Sequence, residues 1–123
     1  NFVLSALEMA KGGEVFVPKI PSMSTVDLAR SIAPNLPHKM VGIRPGEKLH
    51  EVMVPEDDSR ATVELEDRYV ILPHNSERLR AEWFADGAVP VPEGFEYQSD
   101  SNPERLDART LQNILNEKLA LKA

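Results

Sequence analysis

Val15-Phe16-Val17-Pro18, Ser24-Thr25-Val26-Asp27-Leu28-Ala29-Arg30-Ser31-Ile32 and Lys39-Met40-Val41-Gly42-Ile43 follow one another within residues 15–43, and their order decides the fold class. The first run is apolar without alternation, which suits a strand buried on both faces, as in a parallel sheet. The second opens with the spacing of a capping box, Asp27 standing where Glu or Gln is usual, and Met23 and Leu28 fall where a hydrophobic staple would sit. It predicts a helix that buries Leu28, Ala29 and Ile32 and stops at Pro34. The third run reads as another strand. Strand, helix and strand in this order predict a short parallel βαβ unit with a right-handed crossover, and so an α/β fold.

Outward from that unit, residues 2–11 read as the end of an amphipathic helix stopped by Gly12-Gly13. The chain opens at Asn1 already inside this pattern, with no cap before it, which gives the expectation of a piece of a longer protein. Residues 47–53 suggest a short helix, Pro55-Glu56-Asp57-Asp58 an acidic loop, and 63–72 an extended segment. A helix is expected over 77–85 with Trp83 and Phe84, a short edge strand at Phe95-Glu96-Tyr97, and a terminal helix over about 107–121. That last helix places Leu111, Ile114, Leu115 and Leu119 on one side. The expected division is 1–54 for the βαβ unit and 55–123 for an irregular C-terminal cap.

The 123 residues fit one domain, and a chain of this size buries around two-thirds of its unfolded surface. With 14 Lys and Arg against 20 Asp and Glu, the net charge of -6 argues against a nucleic-acid or anionic-membrane binder, which needs a basic excess. A small, local anion site is not forbidden. There is no cysteine, so disulfides, thiolate metal sites and cysteine nucleophiles are excluded. No apolar stretch approaches the roughly 20 residues that span a bilayer, and a cytoplasmic setting is expected.

The run Gly42-Ile43-Arg44-Pro45-Gly46-Glu47-Lys48-Leu49-His50-Glu51 concentrates the chemistry. Arg44 is expected just past the C-terminal end of a parallel strand, the edge where open α/β sheets hold ligands. Pro45-Gly46 turns the chain and Glu47 opens a helix. A guanidinium offers parallel donors to a phosphate, helix N–H groups add positive potential, and a carboxylate accepts from vicinal hydroxyls. Together they suit a nucleoside diphosphate. A tight turn carrying a surface Arg–Glu pair, worth little energetically, explains the same spacing.

Lys19 would share that sheet edge if the two strands were neighbours; a solubilising loop lysine is the alternative. Asp107 would meet a ligand only if the tail folded back, and capping the last helix is its other role. His50-Glu51 lacks a second histidine one turn on, so no metal is expected. There is no glycine-rich dinucleotide turn. Tyr-x-x-x-Lys is missing too, since Pro73 and Ser101 stand four residues after Tyr69 and Tyr97. No catalytic residue is expected in this chain.

The run 42–51, with Phe16-Val17-Pro18-Lys19-Ile20-Pro21-Ser22 upstream and Phe95-Glu96-Tyr97-x-Ser99 near the end, resembles the C-terminal half of the UDP-N-acetylglucosamine 4,6-dehydratases. These are extended short-chain dehydrogenase/reductases (Rossmann-like) of bacterial surface-polysaccharide pathways. Pro-Lys-Ile-Pro-Ser and Lys-Leu-His-Glu look most like the soluble inverting type that serves pseudaminic acid synthesis. The resemblance implies that Arg44 binds the UDP diphosphate and Glu47 the ribose. It also implies an NADP-dependent lyase: oxidation at C4, loss of water across C5–C6, return of hydride to C6. The cofactor turn and the Tyr/Lys pair belong to the family's N-terminal half, so no turnover is expected from these residues alone.

The expectation is therefore the substrate-binding part of such an enzyme, with UDP-N-acetylglucosamine as ligand, the N-terminal half as partner, and a homo-oligomeric assembly. The rivals are another nucleotide-sugar epimerase or dehydratase of the family, a free-standing nucleotide-binding module, and a non-catalytic oligomerisation domain.

Overall fold

The computed structural model describes residues 1–120, with side chains through residue 117. The elements are α1 (Phe2–Met9), β1 (Val15–Pro18), α2 (Thr25–Ile32), β2 (Val52–Val54), a 3-10 helix (Glu56–Ala61), β3 (Thr62–Glu64), β4 (Arg68–Ile71), α3 (Glu77–Ala85), β5 (Val89–Pro90), β6 (Tyr97–Gln98) and α4 (Ala108–Ala120). Among the described residues they form two compact units, one of residues 1–20 and 52–98, the other of residues 21–51 and 99–120.

The first unit is built on an antiparallel sheet in the order β1-β4-β3-β5. Phe16 stands opposite Val70, and Val70 opposite Val63; in the next row Val17 faces Tyr69, and Tyr69 faces Glu64. Because successive side chains on a strand point to opposite faces, these rows feed two separate cores. One gathers Val63, Val70, Leu72, Leu79, Trp83 and Ala88, with Met9 of α1 and Phe16 packed against it. The other gathers Val17, Val54, Tyr69, Val91 and Tyr97, and here the two-stranded β2–β6 sheet is the cover. Tyr97 is 8% exposed, and its hydroxyl both accepts from the Ile20 N–H and donates to the Ile20 carbonyl, each at 2.8 Å.

Helix α3 ends where its sequence says it should. Gly87, at φ +91°, lets its own N–H reach the Phe84 carbonyl and the Ala88 N–H reach the Trp83 carbonyl, the paired closure of a Schellman motif. Trp83, fully buried, meets Phe16 edge-on with centroids 5.8 Å apart. Its indole N–H donates to Glu14 at 3.2 Å, and the same carboxylate accepts the backbone N–H groups of Lys11 and Gly12. Glu14 thus ties the end of α1 to the centre of the core.

The second unit has a different constitution: Asn102 is its one buried residue among those described. Helix α2 is capped as expected. Ser24 Oγ accepts the Asp27 N–H at 3.1 Å. The shorter Asp side chain takes the Ser24 hydroxyl at 2.7 Å, where a Glu would reach back to the cap's own N–H. Helix α2 packs with α4. Ser22 exchanges backbone bonds with Glu104 and Leu106, and Asn102 donates to the Ser22 hydroxyl at 3.0 Å.

The mixed helix-and-strand class holds, while several expectations within it are corrected. Among the described residues no parallel βαβ unit forms. Residues 39–43 have no strand, are fully exposed, and include Gly42 at φ +76°, where an extended run breaks. The strand β1, expected beside them in parallel, pairs with β4 in the antiparallel sense. That pairing joins residues 15–18 to 68–71. β1 is not buried on both faces throughout, since Val15 is exposed. Helix α2 buries none of its residues. Residues 47–53 contain no helix, and the acidic run 55–58 leads into the 3-10 helix instead of a loop. The extended segment 63–72 is a hairpin, closed by the Leu65 N–H on the Arg68 carbonyl. On α4, Leu111 is half-buried and Ile114 and Leu115 are exposed; the Leu119 side chain and residue 121 lie outside the described residues.

Burial alone would raise the Glu14 pKa, but the N–H groups of Gly12, Glu14, Trp83 and Lys11 outweigh it and hold the carboxyl below the ordinary glutamate range. The fold therefore prefers the ionised form. Its contribution is complete above roughly pH 4.3, the ordinary glutamate value, and is lost as pH falls through the lower folded-state pKa. Glu14→Ala, which strands a buried indole N–H, is expected to cost about 1–3 kcal/mol at neutral pH. Urea unfolding of both proteins checks this, and their stabilities should converge on acidification.

Candidate functional site

Arg44-Pro45-Gly46-Glu47 forms a tight turn. The Glu47 N–H donates to the Arg44 carbonyl at 3.0 Å, Pro45 fixes the second position, and Gly46 takes φ +84°, the pattern of a type II turn. A side chain at position 46 would meet no heavy atom within 4 Å, so glycine is required by the backbone and not by space.

The turn brings the two side chains together. Arg44 Nη2 lies 2.9 Å and Nε 3.3 Å from Glu47 Oε1, and Glu47 Oε2 accepts the Arg44 backbone N–H at 2.8 Å. The guanidinium is 78% exposed and the carboxylate 42%, so the pair itself adds little stability. The Arg44 backbone N–H, then its guanidinium, hold the Glu47 carboxyl below the usual range. Downstream, Ser99 fastens the end of the run: its N–H donates to the Glu51 carbonyl at 2.9 Å and its hydroxyl accepts the Glu51 N–H at 3.0 Å. His50 Nε2 stands 3.7 Å from Asp100 Oδ2.

The surroundings of the turn differ from those expected. Arg44 does not follow a strand and Glu47 does not open a helix, so no helix N–H groups reinforce the guanidinium. Among the described residues, cavities of about 490–540 Å³ open on the first unit, and neither Arg44 nor Glu47 lines these. The strand adjacency on which the Lys19 expectation rested is missing. Lys19 is instead held by Glu64 at 2.7 Å, with its ammonium 5.0 Å from the centroid of the Tyr69 ring. Asp107 accepts the Thr110 N–H at 2.7 Å and so caps α4. The part played by Ser99 had no spacing signal of its own, although Phe95-Glu96-Tyr97-x-Ser99 is among the segments that carry the family resemblance.

This is a mixed helix-and-strand chain that carries an exposed Arg–Glu turn. The chain belongs to the polysaccharide biosynthesis protein family, whose model matches residues 1–73. Over 121 residues it is 46% identical to the UDP-N-acetylglucosamine 4,6-dehydratase (inverting) of Campylobacter jejuni subsp. jejuni serotype O:23/36. Its identity to the protein of the same name from serotype O:2 is 47%. Each alignment covers 94% of this chain and 36% of the relative, so the chain spans little more than a third of their length. Its fold is similar to the X-ray structure of Pen from Bacillus thuringiensis, with a TM-score of 0.73 and 30% identity over 94% of this chain and 35% of that one. This agrees with the C-terminal part of an extended short-chain dehydrogenase/reductase. No helix among the described residues is long and apolar enough to cross a membrane.

Two measurements test the turn. Carbon-13 titration of Glu47 should place its pKa below that of an ordinary glutamate, and Arg44→Ala should recover only part of the difference, because the backbone N–H at 44 remains. Gly46→Ala forces a Cβ into the left-handed region at a cost of about 1–2 kcal/mol. It should open the turn, seen as loss of protection of the Glu47 amide from hydrogen exchange.

Proposed function

We propose that this chain is the nucleotide-sugar-binding part of a UDP-N-acetylglucosamine 4,6-dehydratase, a lyase of bacterial surface-polysaccharide and pseudaminic acid synthesis. One observation carries the reading: Arg44 and Glu47 stand side by side on an exposed Pro-Gly turn. In this reading the guanidinium takes the diphosphate and the carboxylate a ribose hydroxyl. The printed names of the two Campylobacter relatives support the choice of substrate. Lys19 and Asp107, each engaged within its own unit, stay outside the proposed contacts.

These residues do not fit a dinucleotide. Among the described strands none leads through a glycine-rich turn into a helix: β1 runs into Lys19-Ile20-Pro21 and β4 into Leu72-Pro73. NADP, and the hydride and proton transfers that need it, are assigned to a longer cytoplasmic, homo-oligomeric protein of which this chain is one part. In that protein the chain's own residues bind and orient the nucleotide.

In the full-length protein, Arg44→Ala is expected to weaken UDP binding roughly ten- to a hundredfold by titration calorimetry, the range for one charge-assisted hydrogen-bonded contact. The 123-residue chain alone should not dehydrate UDP-N-acetylglucosamine. Unchanged affinity in the variant would remove the diphosphate reading, and turnover by the chain alone would remove the division of labour.

A further inference from the structure

A carboxylate that serves only a ribose has no need to grip its neighbouring arginine, yet Glu47 grips Arg44 at three points. Oε2 accepts the backbone N–H, and Oε1 accepts from both Nε and Nη2. Nε and Nη2 form the side edge of the guanidinium. The end edge, Nη1 with the second proton of Nη2, makes no further hydrogen bond among the described residues.

We infer that Glu47 is a positioning residue for Arg44, holding the side edge of the guanidinium so that its end edge is presented to the phosphate oxygens. The inference rests on the diphosphate reading above and deepens it. An arginine as exposed as this one would otherwise rotate about four side-chain torsions and lose that freedom on binding. The turn removes the freedom beforehand, in the manner by which preorganisation raises affinity. Pro45 and Gly46 set the backbone, the Arg44 N–H fixes one carboxylate oxygen, and the other oxygen then fixes the guanidinium. A carboxylate acting as a competitor would cover the end edge, and Glu47 leaves it open. The ribose contact is not displaced, since Oε2 retains acceptor capacity beyond the one backbone N–H.

The test compares UDP with 2′,3′-dideoxyuridine diphosphate, which keeps both phosphates and lacks the vicinal hydroxyls. Both are titrated at physiological ionic strength into the full-length protein and its Glu47→Gln, Arg44→Ala and doubly substituted forms. Glu47→Gln is expected to weaken the dideoxy ligand roughly three- to tenfold and UDP by at least as much, and to add no further loss of the dideoxy ligand once Arg44 is alanine. The Arg44 Nε–H resonance in the ligand-free protein should also exchange faster with solvent in Glu47→Gln, with the remaining amide spectrum unchanged. Four results would overturn the inference: a loss confined to UDP, a gain in affinity, an equal loss of the dideoxy ligand on the Arg44→Ala background, or an Nε–H exchange rate indifferent to Glu47. If Arg44→Ala weakens binding and Glu47→Gln does not, this inference alone falls. If Arg44→Ala has no effect, the diphosphate reading falls and takes it along.

Discussion

The antiparallel pairing of β1 with β4 is the constraint from which the rest of the first unit follows. Val15 to Pro18 lie opposite Ile71 to Arg68 in a fixed register. A slip of one residue would send Phe16 and Val70 to the face now held by Val17 and Tyr69. The register thereby decides which side chains meet α1 and α3 and which meet the β2–β6 ribbon. Closing a loop of this length carries an entropic cost that grows only slowly with length. Against it stand Val63, Val70, Val54 and Trp83, all fully buried and each worth about 1.5–3 kcal/mol on removal from water. Arg68 shows how completely the pairing encloses its end residues. It is 4% exposed, lies against the Phe2 ring at 4.6 Å, and is neutralised by Asp67 at 2.7 Å.

The second unit solves a different problem. Its run 36–50 is exposed throughout, with Met40, Val41, Ile43 and Leu49 uncovered, so apolar burial does not fix its shape. Hydrogen bonds do: the Arg44–Glu47 turn at one point, the reciprocal Ser99–Glu51 pair at another. Recognition residues commonly sit on loops held by a few fixed points. Here the order at the turn comes from its own four residues.

What could be read from the sequence follows the same division between local and distant causes. Caps, turns and helical periodicity are local. Accordingly α1, the Ser24–Asp27 cap, α3 and the Pro-Gly turn at 45–46 stand where spacing places them. Strand pairing is not local. Val15-Phe16-Val17 announces a strand but not its partner, because β4 lies some fifty residues away and nothing in either segment fixes the direction of approach. The run Lys39 to Ile43 is apolar enough for a strand, yet a strand exists only where a neighbour satisfies its backbone, and none does so among the described residues. The site shows the same split: the meeting of Arg44 with Glu47 was written into four consecutive residues, whereas the anchoring of Glu51 by Ser99 was not.

The acidic balance of the whole chain places no bar on an anion at this turn. Charges exposed to solvent are screened beyond about 8 Å at physiological salt, so only the nearest groups matter. Within residues 39–48 the charged side chains are Lys39, Arg44, Glu47 and Lys48, so Glu47 is the single acid of that run. Even so, Arg44 and Glu47 together are neutral. A diphosphate recognised there is recognised through the directions of the N–H groups rather than through an excess of charge. The rigidity of the turn, more than the number of its cations, would then govern affinity.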